Sequence, residues 1–307
     1  MGVIQVLVNH YREDEATVRR FLSSLAKQTA DFEVLIASDG GDLNPEWLKG
    51  YQYPISYAIL PHEGVCHTRN VLMDRATADW LMFCDIDDEF AEDGLAGLLE
   101  AARGHDVAGS PYYVERMTPN GLQTGVIEHD TLRVHGKLFR RQFLLDKGIR
   151  FLDEMETGGD MAFLWLAYML GDSVWTDRPF YAWKWSPKSV TRGKPFFSYQ
   201  SYESMLRCYD LLSDDLGMRG EWALREKLIA TVFAKMYADY TNESWWVAPR
   251  EYRDMAEGPM RAFAERHLGT YMYVDEGLRR RCHEVMRAHS GGGVFEGLMN
   301  WAQSMIE

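Results

Sequence analysis

Cysteine is scarce: four in 307 residues, at positions 66, 84, 208 and 282, with no C-x-x-C pair or other short spacing. That excludes a zinc knuckle and a disulfide framework and points to a reducing compartment. Long apolar runs are missing too, none approaching the roughly 20 residues that a membrane-spanning helix needs. The first residues run straight into a strand-like segment, Val3 to Val8, without the basic, apolar and small-residue succession of a leader. A cytoplasmic protein without a membrane span is the expectation. Positive charge is in short supply, 33 Lys+Arg against 46 Asp+Glu for a net charge of −13 and a pI near 5.2, which disfavours coating of nucleic acid or anionic membrane through long-range charge. No phosphate-cradling glycine loop occurs. Gly40-Gly41 and the glycines at 291–293 fit neither G-x-G-x-x-G nor the P-loop, so kinase and dehydrogenase readings lose support.

What is present is ordinary globular composition, 46% hydrophobic and 26% charged, on a chain long enough to build its own core. The first hundred residues alternate strand-like and helical patterns. Strands are predicted at Val3 to Val8, Phe32 to Ala37, Ile55 to Leu60 and Trp80 to Cys84, with helices at Ala16 to Gln28 and His67 to Ala76. This is an α/β layout with a mostly parallel sheet. Ligands of such sheets lie beyond the carboxyl ends of the strands, here Asn9 to Tyr11, Ser38 to Asp42, Pro61 to Gly64 and Asp85 to Asp88. Further strands are expected at Asp106 to Ser110, Tyr112 to Met117 and Phe180 to Trp185, and a helix at Asp160 to Leu170. From about Phe197 the pattern is helical: Ser201 to Leu212, Glu221 to Tyr240, Tyr252 to His267 and Asp275 to Ala288. The division is therefore a catalytic domain at 1–195, a helical region at 196–289, and a glycine linker with a terminal amphipathic helix at 290–307. The apolar stripe Phe295, Leu298, Met299, Ala302, Met305 and Ile306 would dock on the chain's own body or on a second copy.

The sharpest local feature is Asp85-Ile86-Asp87-Asp88-Glu89 at the end of a predicted buried strand. Clustered carboxylates repel unless a cation sits among them, and hard divalent ions take oxygen ligands, so a Mg²⁺ or Mn²⁺ site with a diphosphate-bearing substrate is one reading. An acidic turn capping the next helix is the other.

The run from Gly64 through Thr68-Arg69-Asn70 and Ala76 to Asp79-Trp80 and Asp85-Ile86-Asp87-Asp88 resembles the G-x-x-x-A-R-N … A-x-G-D-[YW]-[IL]-x-[FL]-x-D-x-D-D signature of family 2 glycosyltransferases. Ile4 to Arg12 loosely match the family's opening strand and loop, Ser24 to Ile36 its S-L-L-x-Q-T-x-x-x-x-E-[IV]-I segment, and Ser38 to Asp42 its D-D-G-S-x-D. His135 to Arg141 resemble G-K-L-[FY]-R-R, Gly158-Gly159-Asp160 stands at G-E-D, and Tyr181 to Thr191 resemble Y-x-Y-R-x-x-x-x-S-[IV]-T. Departures include Ser38 and Gly41 in the second motif, Thr68 for Ala, and Gly159 for the first acid of G-E-D.

The resemblance implies a GT-A fold, a UDP-sugar donor, a Mn²⁺ or Mg²⁺ cofactor, inversion at the anomeric carbon, and a hydroxyl acceptor, most simply a saccharide. His10 and Tyr11 would flank the base, Asp39 would accept from a base N–H, and Asp42 would face the ribose or cap a turn. Arg69 would meet the diphosphate or form an ion pair with Asp85 or Asp88. Asp87 would be the direct metal ligand, Asp85 would lie near sugar or ribose hydroxyls, and Asp88 would be a further ligand. His135 would complete the metal shell or be structural. Lys137, Lys184, Ser189 and Thr191 would lie on the donor, and Asp160 would be the general base or only a helix cap. The segment Thr131 to Gln200 carries 11 Lys/Arg against 7 Asp/Glu, a local excess where an anionic substrate or a DNA backbone would lie. That leaves three rivals: transfer onto a hydroxymethylated DNA base, a degenerate sugar-binding module, and a nucleotidyltransferase, the last weakened because Asn9 to Asp14 lack a glycine-rich basic loop.

Overall fold

A computed structural model of the chain describes residues 3–155, 158–187, 197–241, 245, 247–272, 274–278 and 280. The chain falls into two compact units, Met1–Gly193 and Lys194–Glu307. In the first, the strands are β1 (Ile4–His10), β2 (Phe32–Asp39), β3 (Ile55–Leu60), β4 (Trp80–Asp85), β5 (Glu89–Phe90), β6 (Val107–Gly109), β7 (Tyr112–Thr118), β8 (Gly121–Ile127), β9 (Lys137–Arg140), β10 (Ser173–Trp175) and β11 (Tyr181–Trp183). Its helices are α1 (Glu15–Leu25), α2 (Val65–Arg75), α3 (Leu95–Ala101), α4 (Arg141–Asp146) and α5 (Gly159–Leu170).

Seven strands form one sheet in the order β10-β6-β9-β4-β1-β2-β3, and four form a second in the order β5-β11-β7-β8. The pairs β1/β2, β1/β4 and β2/β3 are parallel, whereas β9 runs antiparallel between β4 and β6. β1 and β4 are buried almost throughout, as apolar runs covered on both faces require. Helix α1 starts where the Asp14 carboxylate accepts from the Thr17 amide at 2.9 Å, and it buries Val18, Phe21, Leu22 and Leu25 on one stripe. The Ser24 to Gln28 part of the S-L-L-x-Q-T-like segment works structurally. The Gln28 side-chain oxygen accepts from the Gly94 and Leu95 amides at 3.0 and 3.1 Å, which caps α3, and Ser24 Oγ accepts from the Phe90 amide at 2.9 Å.

The expected strands and helices of the first hundred residues form with shifted ends. Not anticipated from the pattern were β5, β8, β9, β10 and α4, and α3 was expected only as the helix after the acidic turn, without bounds. They are short or, for β8, exposed along most of their length, so apolar periodicity carries little trace of them.

The second unit has α6 (Phe197–Gln200), α7 (Tyr202–Met218), α8 (Trp222–Thr241) and α9 (Arg250–Met272). Phe233 of α8 packs between Phe263 and Tyr271 of α9, at 5.8 and 4.8 Å between ring centres, and Arg266 of α9 reaches Asp214 of α7 at 2.7 Å. No described helix is long and apolar enough to cross a membrane. Lys188, Ser189, Thr191, Arg192, Lys194, Trp246, Cys282 and the terminal stripe at 294–306 lie outside the described residues, as does most of the expected Asp275 to Ala288 helix.

Candidate active site

The carboxyl ends of β1, β2 and β3 bring three loops together. Asp39 closes β2 and is 4% exposed. One of its oxygens accepts from the Glu63 amide at 2.8 Å, and the other from the Gly64 amide at 3.1 Å and from His62 Nδ1 at 2.9 Å. Tyr11 stacks on His62 with ring centres 4.6 Å apart and 16° between planes. His10, expected beside the base, is wholly buried instead. Its Nδ1 lies 3.0 Å from Ser38 Oγ and its Nε2 3.0 Å from the Glu13 carbonyl, so it ties β1 to β2 and to its own loop. Asp42 accepts from the Arg12 amide at 3.4 Å, pinning one loop to the next.

At the end of β4 the acidic run turns, with the Asp88 amide donating to the Asp85 carbonyl at 3.1 Å. The turn points Asp85 and Asp88 inward, where their carboxylates and a His135 ring nitrogen lie within 4.8 Å of one another. Asp87, expected as the direct ligand, is not in this group. It is half-buried beside it, and its carbonyl accepts from Arg20 at 2.7 Å. Asp88 is fully buried, accepting from Tyr181 OH at 2.6 Å and from the Lys184 amide at 2.9 Å. Burial, followed by repulsion from Asp87 and Asp85, pushes its carboxyl well above the usual range. At Asp85 burial works in the same sense, but the Arg69 guanidinium prevails and holds the carboxyl below its usual value.

His135 is 4% exposed, stacked on Tyr181 at 5.0 Å, and its Nε2 has no hydrogen-bond partner. Burial, then the charge of Lys137, pushes its imidazole down to about 3, so it is neutral at physiological pH. A neutral, buried imidazole with an unpartnered ring nitrogen, beside two carboxylates, fits a divalent ion of the Mn²⁺ or Mg²⁺ type.

Arg69 is the hub of the site. It projects from α2, is nearly buried, and donates from Nη2 to Asp85 at 3.0 Å and from Nη1 to Asp160. Burial opposes its charge, but Asp160 and Asp85 outweigh burial and hold it protonated. Asp160 sits in the first turn of α5, which opens after Gly158 in the left-handed region at φ +80°, and its second oxygen accepts from the Val134 amide at 3.3 Å. The next residue of the motif, Asn70, is structural: its amide spans the Phe151 backbone at 2.9 and 3.0 Å and reaches Asp153 at 2.7 Å. Gly159 also has a physical reason. A Cβ there would collide with Cys66 Sγ of α2, so the acid that the family resemblance places at this position has no room.

The two lysines are placed otherwise than expected. Lys137 is fully buried on β9, donating to the Arg133 and His135 carbonyls at 2.7 and 3.3 Å; burial pulls its ammonium down to about 8. It braces the loop that carries His135. Lys184 binds Glu115. Among the described residues of the locally basic segment, three arginines also form ion pairs: Arg133 with Asp130 at 3.0 Å, Arg150 with Asp74 at 2.5 Å, and Arg140 with Asp106. Sequence reasoning gave no role to His62 or Glu13, although His62 lies in the loop after β3 that the strand-end rule marks; Tyr181 entered it as the first residue of the Y-x-Y-like segment.

A Rossmann-like sheet with strand-end loops, an acidic turn after β4 and an inward carboxylate on α5 defines the GT-A fold of nucleotide-sugar transferases. The family model for Glycosyl transferase family 2 matches residues 5–165, and the chain belongs to that family: it is a glycosyltransferase. The crystal structure of Staphylococcus aureus TarS 1–349 in complex with UDP-GlcNAc is similar at a TM-score of 0.66 and 18% identity, over 98% of this chain and 90% of that one. The same TarS fragment with UDP gives a TM-score of 0.62, and the longer TarS structure, of which 53% is covered, also 0.62. At that identity the likeness is one of fold. A curated relative, teichoic acid poly(glycerol phosphate) polymerase of Staphylococcus epidermidis, is 28% identical over 112 residues, 34% of this chain and 16% of its own length.

Proposed function

We propose that this glycosyltransferase moves a sugar from a UDP-sugar to a hydroxyl of a saccharide or polyol-phosphate polymer, with metal assistance and inversion at the anomeric carbon. One observation carries the reading: a single guanidinium, Arg69, joins Asp85 of the acidic turn to Asp160 of α5. A donor-side carboxylate and an acceptor-side carboxylate are thereby held on either hand of one site. Asp160 is the general base, its two oxygens oriented by Arg69 and the Val134 amide. It takes the acceptor proton as that oxygen attacks the anomeric carbon, and the bond to the departing UDP breaks on the opposite face. Asp85, Asp88 and His135 would hold a Mn²⁺ or Mg²⁺, with Asp87 beside them; when bound, such an ion neutralises charge on the departing diphosphate.

For the donor, support comes from the TarS structures, whose complexes are with UDP and UDP-GlcNAc. For the acceptor it comes from the curated relative's name and from the internal pairing of Arg133, Arg140, Arg150 and Lys184, which counts against a phosphate-tracking footprint for DNA. The test is calorimetric titration of the protein with UDP, with and without Mn²⁺. Metal-dependent binding is expected; its absence would overturn the donor assignment.

A further inference from the structure

The platform at the ends of β1, β2 and β3 holds a residue that no motif assigns. We infer that His62 is the surface on which the donor's nucleobase stacks and that, through Asp39, it sets the position of that base; this rests on the nucleotide-sugar reading above. The imidazole is 57% exposed, yet it is fixed at two points, stacked on Tyr11 and bound through Nδ1 to Asp39 at 2.9 Å. A carboxylate only accepts, so Nδ1 donates and Nε2 is left as the ring's other polar atom. Beneath the stack runs the backbone of Gly40 at φ +115°, where a Cβ would lie 3.6 Å from the Tyr11 ring and 3.7 Å from His62 Cβ. The three loops thus converge on the two rings. Tyr11 is engaged on its ring by His62 and by the Arg12 guanidinium, 4.9 Å from the ring centre.

A purely structural role does not account for this arrangement. The Glu63 and Gly64 amides already occupy both oxygens of Asp39, so the loop after β3 is held without His62. An exposed ring needs no anchoring carboxylate to pack against a tyrosine. A flat, immobilised π-surface beyond the strand ends, with a carboxylate at its edge to accept a base N–H, is what a uracil requires.

The experiment compares Mn²⁺-dependent affinities for UDP and for inorganic pyrophosphate, which lacks a base. His62→Ala is expected to weaken UDP binding roughly tenfold or more while leaving pyrophosphate within about twofold of wild type. His62→Phe, which keeps the flat ring, is expected to hold most of the UDP affinity. Unchanged UDP affinity in His62→Ala, or equal losses for UDP and pyrophosphate, would overturn the inference while leaving the donor assignment intact. Failure of the wild-type protein to bind UDP would overturn the donor assignment and this inference together.

Discussion

Arg69 binds Asp160 with one guanidinium nitrogen and Asp85 with the other, so the base and the acidic turn share one nearly buried cation. Asp160→Asn keeps the shape and removes the proton acceptor. Turnover should fall roughly 10²- to 10⁴-fold while UDP affinity stays close to wild type. Steady-state kinetics beside calorimetry check this, and a variant with near-normal turnover would exclude Asp160 as base. Arg69→Met strands two carboxylates and should cost about 3–5 kcal/mol in a denaturant titration.

Gly159 and Cys66 are coupled by space. Gly159→Ala in the native background should destabilise by about 1–3 kcal/mol, because its Cβ meets Cys66 Sγ in a close-packed interior. In a Cys66→Ala background most of that penalty should vanish. A double-mutant cycle with no coupling energy would contradict the assignment.

For the metal group, His135→Phe keeps the stack on Tyr181 and deletes the buried Nε2. Mn²⁺-dependent UDP affinity should drop at least about tenfold, and Asp88→Asn should behave alike. Equal metal dependence in variant and wild type would place the ion elsewhere.

Glu13 supplies a pH test. Burial, reinforced by Asp87 and Asp85, pushes its carboxyl up to about 7 from a model-peptide value of 4.5, against the lowering effect of the Tyr11 amide, which donates to it at 2.6 Å. Between those values the folded chain holds a proton that the unfolded chain has lost. Glu13's contribution is therefore full below about pH 4.5 and is lost as pH rises through about 7. Glu13→Gln should remove that slope, gaining relative to wild type as pH rises from 5 to 8, by a few kcal/mol at most. Urea titrations at both pH values, with EDTA present, measure it; an unchanged slope would contradict the shift.

The parallel core was legible because β1, β2 and β4 are apolar runs bounded by polar turns, and the motifs marked which residues to follow: Asp39 and Asp85 at strand ends, Arg69 on α2 and Asp160 on α5. Motif position does not report side-chain direction. Lys137 lies in a matched segment, but β9 is buried on both faces at Lys137, Leu138 and Phe139, and His10 closes a β1 that is buried on both faces too. Asp87 and Asp88 are neighbours, and only the turn decides which faces Asp85. His62 and Tyr181 come from loops and strands far away in sequence, so their partnership with Asp39 and Asp88 exists only once the chain folds.

The central claim, metal-assisted transfer from a UDP-sugar with Asp160 as base, is tested most directly by incubating the protein with a panel of UDP-sugars, Mn²⁺ and a panel of saccharide and polyol-phosphate acceptors, and weighing the products by mass spectrometry. The account predicts acceptor mass increased by one sugar with UDP released, abolished by EDTA and nearly so in Asp160→Asn. Transfer that is indifferent to EDTA and to Asp160→Asn, or no transfer and no donor turnover with any acceptor, would contradict it.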